Sequence, residues 1–351
     1  MVPHDYPVPD VSSDDAILRV EACGLCGTDH EQYAGVLPAG FAFVPGHESV
    51  GVIERIGPAA AERWGVVEGD RVAVEVFLSC RDCEPCRSGS YQRCVEHGLR
   101  DMYGFISTEK APSLWGGYAT YQYLAPDSMV HKVPASLDPV LATLFNPLGA
   151  GVRWGATVPG TKPGDVVAVL GPGIRGLSGL VAAKEAGAGF VMVTGAGAHD
   201  APRLEAATAF GADLVVDVKA EDPVAALRSA AGSLADVVLD VTAKAPDAFA
   251  QSIGLVRSGG TVVVAGTRGA STTFWPDLIV YKEVRIQGAL GVDAPAYRRA
   301  LEILDAGRYP FDALPRRTTD LDGLPELLEV MAGEREAPPP VHGVLTPWGS
   351  L

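Results

Sequence analysis

"VVAVLGPGIRGLSGLVAAKEAG" occupies residues 166–187. A β-branched, apolar run gives way to glycines at 171, 173 and 176, and then to small and apolar residues at helical spacing. Strand, tight turn and helix in that order make the G-x-G-x-x-G spacing meaningful, where a lone match would be weak. One glycine permits the turn, the next lets the backbone approach a pyrophosphate, and the third lets helix and strand pack closely. The pyrophosphate then meets the helix N-terminus. Gly171, Gly173, Ile174, Arg175 and Gly176 are therefore assigned to cofactor binding.

Further apolar runs follow this one: "GFVMVTG" (189–195), "DLVVDV" (213–218), "ADVVLDVT" (235–242), "GGTVVVAG" (259–266) and "VRIQGAL" (284–290). "APRLEAATAFG" and "PDAFAQSIGLVRSG" are two of the helical stretches between them. Strands apolar on both faces suit a parallel sheet covered by helices. The expectation is a doubly wound, Rossmann-type α/β domain over 148–290, binding a nicotinamide cofactor. Gly266, which closes the fifth run, joins the cofactor set. In such domains the second strand ends in a carboxylate when the ribose carries no phosphate. Here it ends at Gly195, followed by "AGAHDAPR". Gly195 and Arg203 are assigned to the cofactor, and Arg203 with His199 favours NADP over NAD. The alternative is that Arg203 merely opens a solvated helix and Asp200 contacts the ribose.

The residues before 148 read differently. "DAILRVEACG" (15–24), "SVGVIERIG" (49–57), "GDRVAVEV" (69–76) and "YATYQYLAPDSMVHKVP" (118–134) are short strand-like runs bounded by Gly, Pro or charge. The first domain, 1–147, is expected to be mainly β. The tail, 291–351, holds a helical stretch "AYRRALEILDAG" and a closing strand in "PVHGVLTPW" that returns to the first domain.

A chain of 351 residues, 47% hydrophobic, has ample core for two domains. Its formal net charge of −15 argues against a nucleic-acid partner. The acidic stretch "TDLDGLPELLEVMAGERE" (319–336) reads as a solvated helix. No apolar run approaches a membrane span, and the N-terminus lacks a signal-peptide pattern, so the expected place is the cytoplasm.

All six cysteines lie in the first third of the chain. "CRDCEPCRSGSYQRC" spaces Cys80, Cys83, Cys86 and Cys94 as C-x2-C-x2-C-x7-C. Four thiolates on a short loop suit a closed, tetrahedral, structural zinc site. An iron–sulfur cluster or disulfides are the alternatives. Cys26 lies in "ACGLCGTDH" (22–30), while His47 and Glu48 lie in "PGHESVGVIERIG" (45–57). A cysteine and a histidine, with one more ligand and an open position, make a catalytic zinc site. Thr28, near Cys26, is placed to take a proton from a bound alcohol. Cys23–Cys26 also has the spacing of a redox pair, which is the weaker reading.

These stretches together resemble the zinc-dependent medium-chain alcohol dehydrogenases, in the branch of polyol and threonine dehydrogenases. The resemblance rests on "ACGLCGTD", "VPGHESVGVIERIG", "GDRVAVEV", the four-cysteine lobe, "GPGIRG" and "GAD" at 211–213, and runs from about residue 15 to the C-terminus. It implies a GroES-like catalytic domain wrapped in sequence around a Rossmann domain. It also implies hydride transfer between an alcohol and NAD(P), and a homodimer or homotetramer. Residue by residue, it implies catalytic zinc on Cys26 and His47, with Glu48 able to move in as a ligand. Thr28 contacts the substrate oxygen, Asp29 orients His47, and Cys23 has only a packing role.

Three departures stand out. The family offers Cys or Glu as a third ligand in a segment ending "-Glu-Pro-Leu", whereas "LFNPLG" puts Asn146 there. Glu48 then completes the shell, or Asn146 binds weakly through its carbonyl, or the site is partly empty; retained zinc is the expectation. Relatives read C-G-T-D-x-H, whereas "CGTDHE" puts Glu31 at the histidine place and His30 one position early, so the proton relay ends in Glu31, bypasses it, or uses His30. An opening hairpin of relatives is missing before "PVPDVSSDDAILRV", which points to a bare strand edge. Trp115, Phe145 and Trp154 are candidates for an apolar substrate wall, with ordinary packing an equal reading. A zinc-independent quinone or enoyl reductase on the same fold, and an inactive cofactor-binding protein, are the rival functions.

Overall fold

The computed structural model describes residues 1–37, 40–243, 245–267, 269 and 271–349. The chain separates into two units, Met1–Asn146 with Gly291–Leu351, and Pro147–Leu290.

The first unit is built on β1 (Ala16–Leu25), β2 (Ser49–Ile56), β3 (Arg71–Val74), β4 (Tyr121–Leu124), β5 (Val130–Lys132), β12 (Arg316–Thr319) and β13 (His342–Leu345). These form a sheet in the order β12-β13-β1-β2-β3-β5, with β4 also paired to β1. β1 is buried along nearly its whole length, the signature of a central strand covered on both faces. It pairs antiparallel with β2 along its length, with β4 over Ala16–Arg19, and with β13 over Cys23–Leu25. The strand of the C-terminal tail and β4 cover the side of β1 that β2 leaves.

Helix α1 (Gly27–Tyr33) follows β1 directly, and α2 (Pro58–Trp64) follows β2. The acidic tail stretch forms α5 (Leu324–Met331), here numbered after α3 (Ile174–Glu185) and α4 (Ala294–Asp305). α5 is not simply solvated. Leu324, Leu327, Leu328 and Val330 are buried, in the same apolar cluster as Leu25 of β1 for the first three. The acids occupy its other face, so composition overstated its exposure.

The second unit is a six-stranded sheet: β6 (Val166–Leu170), β7 (Phe190–Gly195), β8 (Leu214–Asp217), β9 (Ala235–Asp240), β10 (Val256–Val264) and β11 (Arg285–Gly288), in the order β11-β10-β9-β6-β7-β8. Every pairing is parallel. That order places the reversal between β6 and β9, and the ligand crevice of such sheets lies at the carboxyl ends of the strands beside the reversal. Val167, Val169, Val191, Val193 and Leu239 are fully buried. Each such side chain contributes about 1.5–3 kcal/mol through removal from water.

Candidate active site and metal centres

The turn after β1 builds one cluster. Cys26 is the N-cap of α1, and Asp29 closes a reciprocal cap, with its Oδ2 accepting from the Cys26 amide at 2.8 Å. The other carboxylate oxygen, Oδ1, stands 3.3 Å from Nδ1 of His47. His47 and Glu48 arrive from the loop before β2. That loop turns at Gly46, whose φ of +91 favours glycine, and a side chain there would press into Tyr118. Gly24 clears room for Glu48, because any Cβ on it would overlap the Glu48 carboxylate. One ligand atom each from Cys26, His47 and Glu48 lies within 4.8 Å of the others.

His47 and Glu48 are 6% and 3% exposed. Burial alone would push the His47 imidazole down, yet Asp29 and then Cys26 hold it well above its ordinary value. The surroundings thus stabilise positive charge at this spot. His47 Nδ1 and Asp29 Oδ1 are both buried and face one another. A partly buried thiolate beside a buried imidazole and a buried carboxylate are the donor set of an open zinc site, and they fit that ion.

Thr28 Oγ1 lies 3.8 Å from Cys26 Sγ. His30 turns elsewhere, its Nε2 standing 2.9 Å from Glu334 Oε1. Glu31 is partly exposed on α1, three residues after Thr28. Cys23 is fully buried, with Sγ 3.7 Å from Ser49 Oγ, and burial pushes its thiol up. It belongs to neither metal-binding cluster among the described residues. Asn146 is 2% exposed and donates its amide N–H to Tyr297 Oη at 3.3 Å. Tyr297 is 151 residues away in sequence, and no local pattern points to it.

The second cluster gathers Cys80, Cys83, Cys86 and Cys94 within 4.8 Å. Sγ–Sγ separations are 3.7 Å for Cys80–Cys86 and 4.0 Å for Cys83–Cys94. Four sulfurs about 2.3 Å from a tetrahedral zinc ion are separated by about 3.8 Å. A disulfide requires about 2.05 Å, and all six cysteines are free. Burial raises the Cys94 thiol, but the amides of Cys80 and His97 outweigh it and bring it down to about 6. The four side chains fit a structural zinc ion with no open position.

In the second unit the glycine turn has the required shape. Gly171 has φ +102, Gly173 is the N-cap of α3, and a Cβ on Gly176 would overlap the carbonyl oxygen of Gly171. A Cβ on Gly173 would meet only open space, so its backbone is approachable. Ile174 and Arg175 open α3, and the Arg175 guanidinium lies 5.2 Å from the Trp154 ring centre. Gly195 ends β7 opposite Asp217 of β8. Asp200 folds back there, accepting from the Ala196 amide at 2.9 Å and from Arg203 Nη1 at 3.1 Å. Arg203 also stands 3.3 Å from His199. A carboxylate is thus present near the strand end, five residues beyond where a strand-end pattern looks for it. Asp217, which the sequence reading passed over, accepts from the amides of Gly197 and Lys219, and they hold its carboxyl below the usual range. Gly266 packs so closely that a Cβ would overlap the Thr242 carbonyl.

The three aromatics offered either as a substrate wall or as ordinary packing are all buried. Trp115 is 3% exposed, its indole N–H donating to Lys110 O at 2.7 Å, and Phe145 is fully buried against Tyr297. Both are packing residues of the first unit. Trp154 lies beneath Arg175 in the second.

The alcohol dehydrogenase GroES-like domain model matches residues 12–135, and the zinc-binding dehydrogenase model matches residues 176–306. A Mycobacterium tuberculosis (strain H37Rv) protein named "Probable alcohol dehydrogenase adh" is 67% identical over 350 residues, 99% of this chain and 95% of that one. The sorbitol dehydrogenase of Bacillus subtilis (strain 168) is 30% identical over 306 residues, 86% of this chain and 82% of that one. A structure from Sinorhizobium meliloti 1021, described as a zinc-binding dehydrogenase bound to NADP, matches with a TM-score of 0.82 at 28% identity, over 97% of this chain and 94% of that one.

Proposed function

This chain belongs to the zinc-dependent alcohol dehydrogenase family of medium-chain dehydrogenases, and from that premise we propose that Cys26, His47 and Glu48 hold its catalytic zinc ion. It is an NAD(P)-dependent oxidoreductase of alcohols, with a GroES-like part and a Rossmann-type part. We assign Met1–Asn146 with Gly291–Leu351 to the catalytic domain and Pro147–Leu290 to the cofactor domain. The observation that carries the catalytic assignment is the cluster of a partly buried thiolate with a buried imidazole and a buried carboxylate within 4.8 Å.

A zinc ion held there supplies Lewis acidity toward the alcohol hydroxyl, and a nicotinamide cofactor supplies the hydride acceptor. The chain's own residues do the rest. Asp29 fixes the His47 ring through Nδ1, the usual support of a metal-binding imidazole. Glu48 takes the place of the third anionic ligand, because its carboxylate stands within 4.8 Å of the Cys26 and His47 ligand atoms. Thr28 receives the hydroxyl proton. Glu31 is the next acceptor, since residues three apart are neighbours on a helix, whereas His30, two apart, is not and faces Glu334. The backbone of Gly171–Gly176 holds the pyrophosphate, with Ile174 and Arg175 beside it.

For the cofactor, β7 itself carries no terminal carboxylate, and Arg203 and His199 stand beside its end. NADP is the favoured reading, with Asp200 tempering the charge of Arg203. Substrates are secondary alcohols or polyols, in line with the sorbitol dehydrogenase relative. None of the six cysteines is in a disulfide, which suits a reducing cytoplasm. The edge strand β11 is exposed at all four residues, and Val280, Tyr281 and Leu290 near it are 72%, 69% and 53% exposed. An unpaired edge beside apolar side chains supports a homodimer formed there, tested by light scattering on Ile286→Lys, which should shift the protein toward monomer. A panel of polyols and secondary alcohols assayed with NAD and with NADP tests the reaction. No turnover on any alcohol with either cofactor would remove it.

A further inference from the structure

A cavity of about 550 Å³ opens in the first unit, and its lining includes none of the residues of the two metal clusters. Its volume is that of small-molecule sites. Trp64 of α2, Met129, Val130 and Pro134 around β5, and Leu301 of α4 give it an apolar wall. Arg63, Arg81, Lys132 and Arg298 give it a cationic one, in a chain whose net charge is −15.

Two of these cations are forced together. Arg63 Nη1 and Arg81 Nη1 donate to the same carbonyl oxygen, that of Pro126, at 3.3 and 3.0 Å. Arg81 also holds φ +61, a region that costs a non-glycine residue, so its side chain is kept at some backbone strain. The lining carboxylates already have partners. Asp305 accepts from the Ser136 hydroxyl at 2.6 Å, and Glu302 pairs with Arg299 at 3.0 Å. Outside the lining, Asp14, Asp127 and Asp70 pair with Arg63, Arg81 and Lys132, so an entering anion competes with these carboxylates for the cationic donors, while Arg298 adds a fourth cation. The Trp64 indole N–H is buried and lacks an acceptor. Paired guanidiniums recognise carboxylate and phosphate oxygens through planar, forked donors.

We propose that this cavity binds a small organic anion, with its carboxylate or phosphate at Arg63 and Arg81 and its apolar body along Trp64, Met129 and Leu301. The site uses none of the zinc ligands or the cofactor turn, although Arg81 stands between Cys80 and Cys83 in sequence, and it goes beyond the alcohol reaction. His131 lines it and is hydrogen-bonded to Glu75 at 2.7 Å, and Glu75 accepts from Tyr91 of the four-cysteine lobe at 2.6 Å.

Calorimetric titration of the zinc-loaded protein with hexyl phosphate, hexanoate and inorganic phosphate tests this. At least one of the two amphipathic probes should bind about one per chain, roughly tenfold tighter than inorganic phosphate, and which of them binds separates the phosphate from the carboxylate source. Arg63→Gln and Leu301→Asp should each weaken that binding about tenfold, and Arg298→Gln serves if Arg63→Gln lowers the melting temperature. Saturating NADPH should leave the binding unchanged. Absence of binding by both probes up to about 10 mM overturns the proposal. So does equal binding of inorganic phosphate, indifference to the cavity variants, or displacement by NADPH.

Discussion

Asp29 reaches two parts of the metal centre at once: Oδ2 accepts from the Cys26 amide at 2.8 Å, and Oδ1 stands 3.3 Å from His47 Nδ1. One carboxylate thereby fixes the turn that presents the thiolate and the ring that presents the imidazole. Asp29→Asn keeps the size but loses the charge. Metal affinity at this centre should fall about 10- to 100-fold, with the four-cysteine site unaffected. Competition with a zinc chelator, read as release of one class of zinc before the other, measures it.

Glu48 is the third member of the cluster, with Asn146 turned to Tyr297. Glu48→Gln should therefore lower zinc from about two to about one per chain. Elemental analysis after gel filtration gives the count. An unchanged count would return the ligand role to Asn146.

The glycine turn has a sharper geometric requirement. A methyl at Gly176 would overlap the Gly171 carbonyl, so Gly176→Ala should displace the turn and weaken NADPH binding by at least about tenfold. Arg203→Ala should lower kcat/KM for NADP about tenfold while changing that for NAD little. Fluorescence titration with each reduced cofactor separates the two effects. If Arg203→Ala treats both cofactors alike, Asp200 and not Arg203 sets the preference.

Stability should fall on the acid side through His342. This ring is 3% exposed, with Nδ1 accepting from Arg316 at 3.0 Å and Nε2 3.0 Å from Thr143 Oγ1. Burial, and then the Arg316 charge, push its pKa down to about 3. In the unfolded chain it titrates near 6.5. Between those values the unfolded state binds the extra proton, so stability rises with pH, and it is lost as pH falls from about 6.5 toward 3. The slope from this one group reaches about 1.4 kcal/mol per pH unit. Urea unfolding at several pH values should show that slope, reduced in His342→Gln whatever the variant's absolute stability.

Much of this was legible in the sequence, for identifiable reasons. The six apolar runs announced the parallel sheet because strands buried on both faces need no alternation. The glycine spacing and the four-cysteine spacing were readable because turn, helix cap and metal ligands all lie within a few residues of one another. What stayed hidden was long-range. β13 covering β1, Tyr297 holding Asn146, and Glu334 facing His30 join residues far apart in the chain, and no local pattern encodes them. Asp200 near the end of β7 was offset in sequence and restored in space by a tight turn. Of the two readings open for Trp115 and Phe145, burial favours packing, which a string cannot show because it does not reveal which side of the backbone is the core.

Cys26→Ser tests the central claim most directly, with zinc per chain, circular dichroism and alcohol oxidation read on the same preparation. The account expects about one zinc instead of about two, an unchanged fold, and activity lowered at least about a thousandfold. A variant that keeps both zinc ions and full turnover would contradict it.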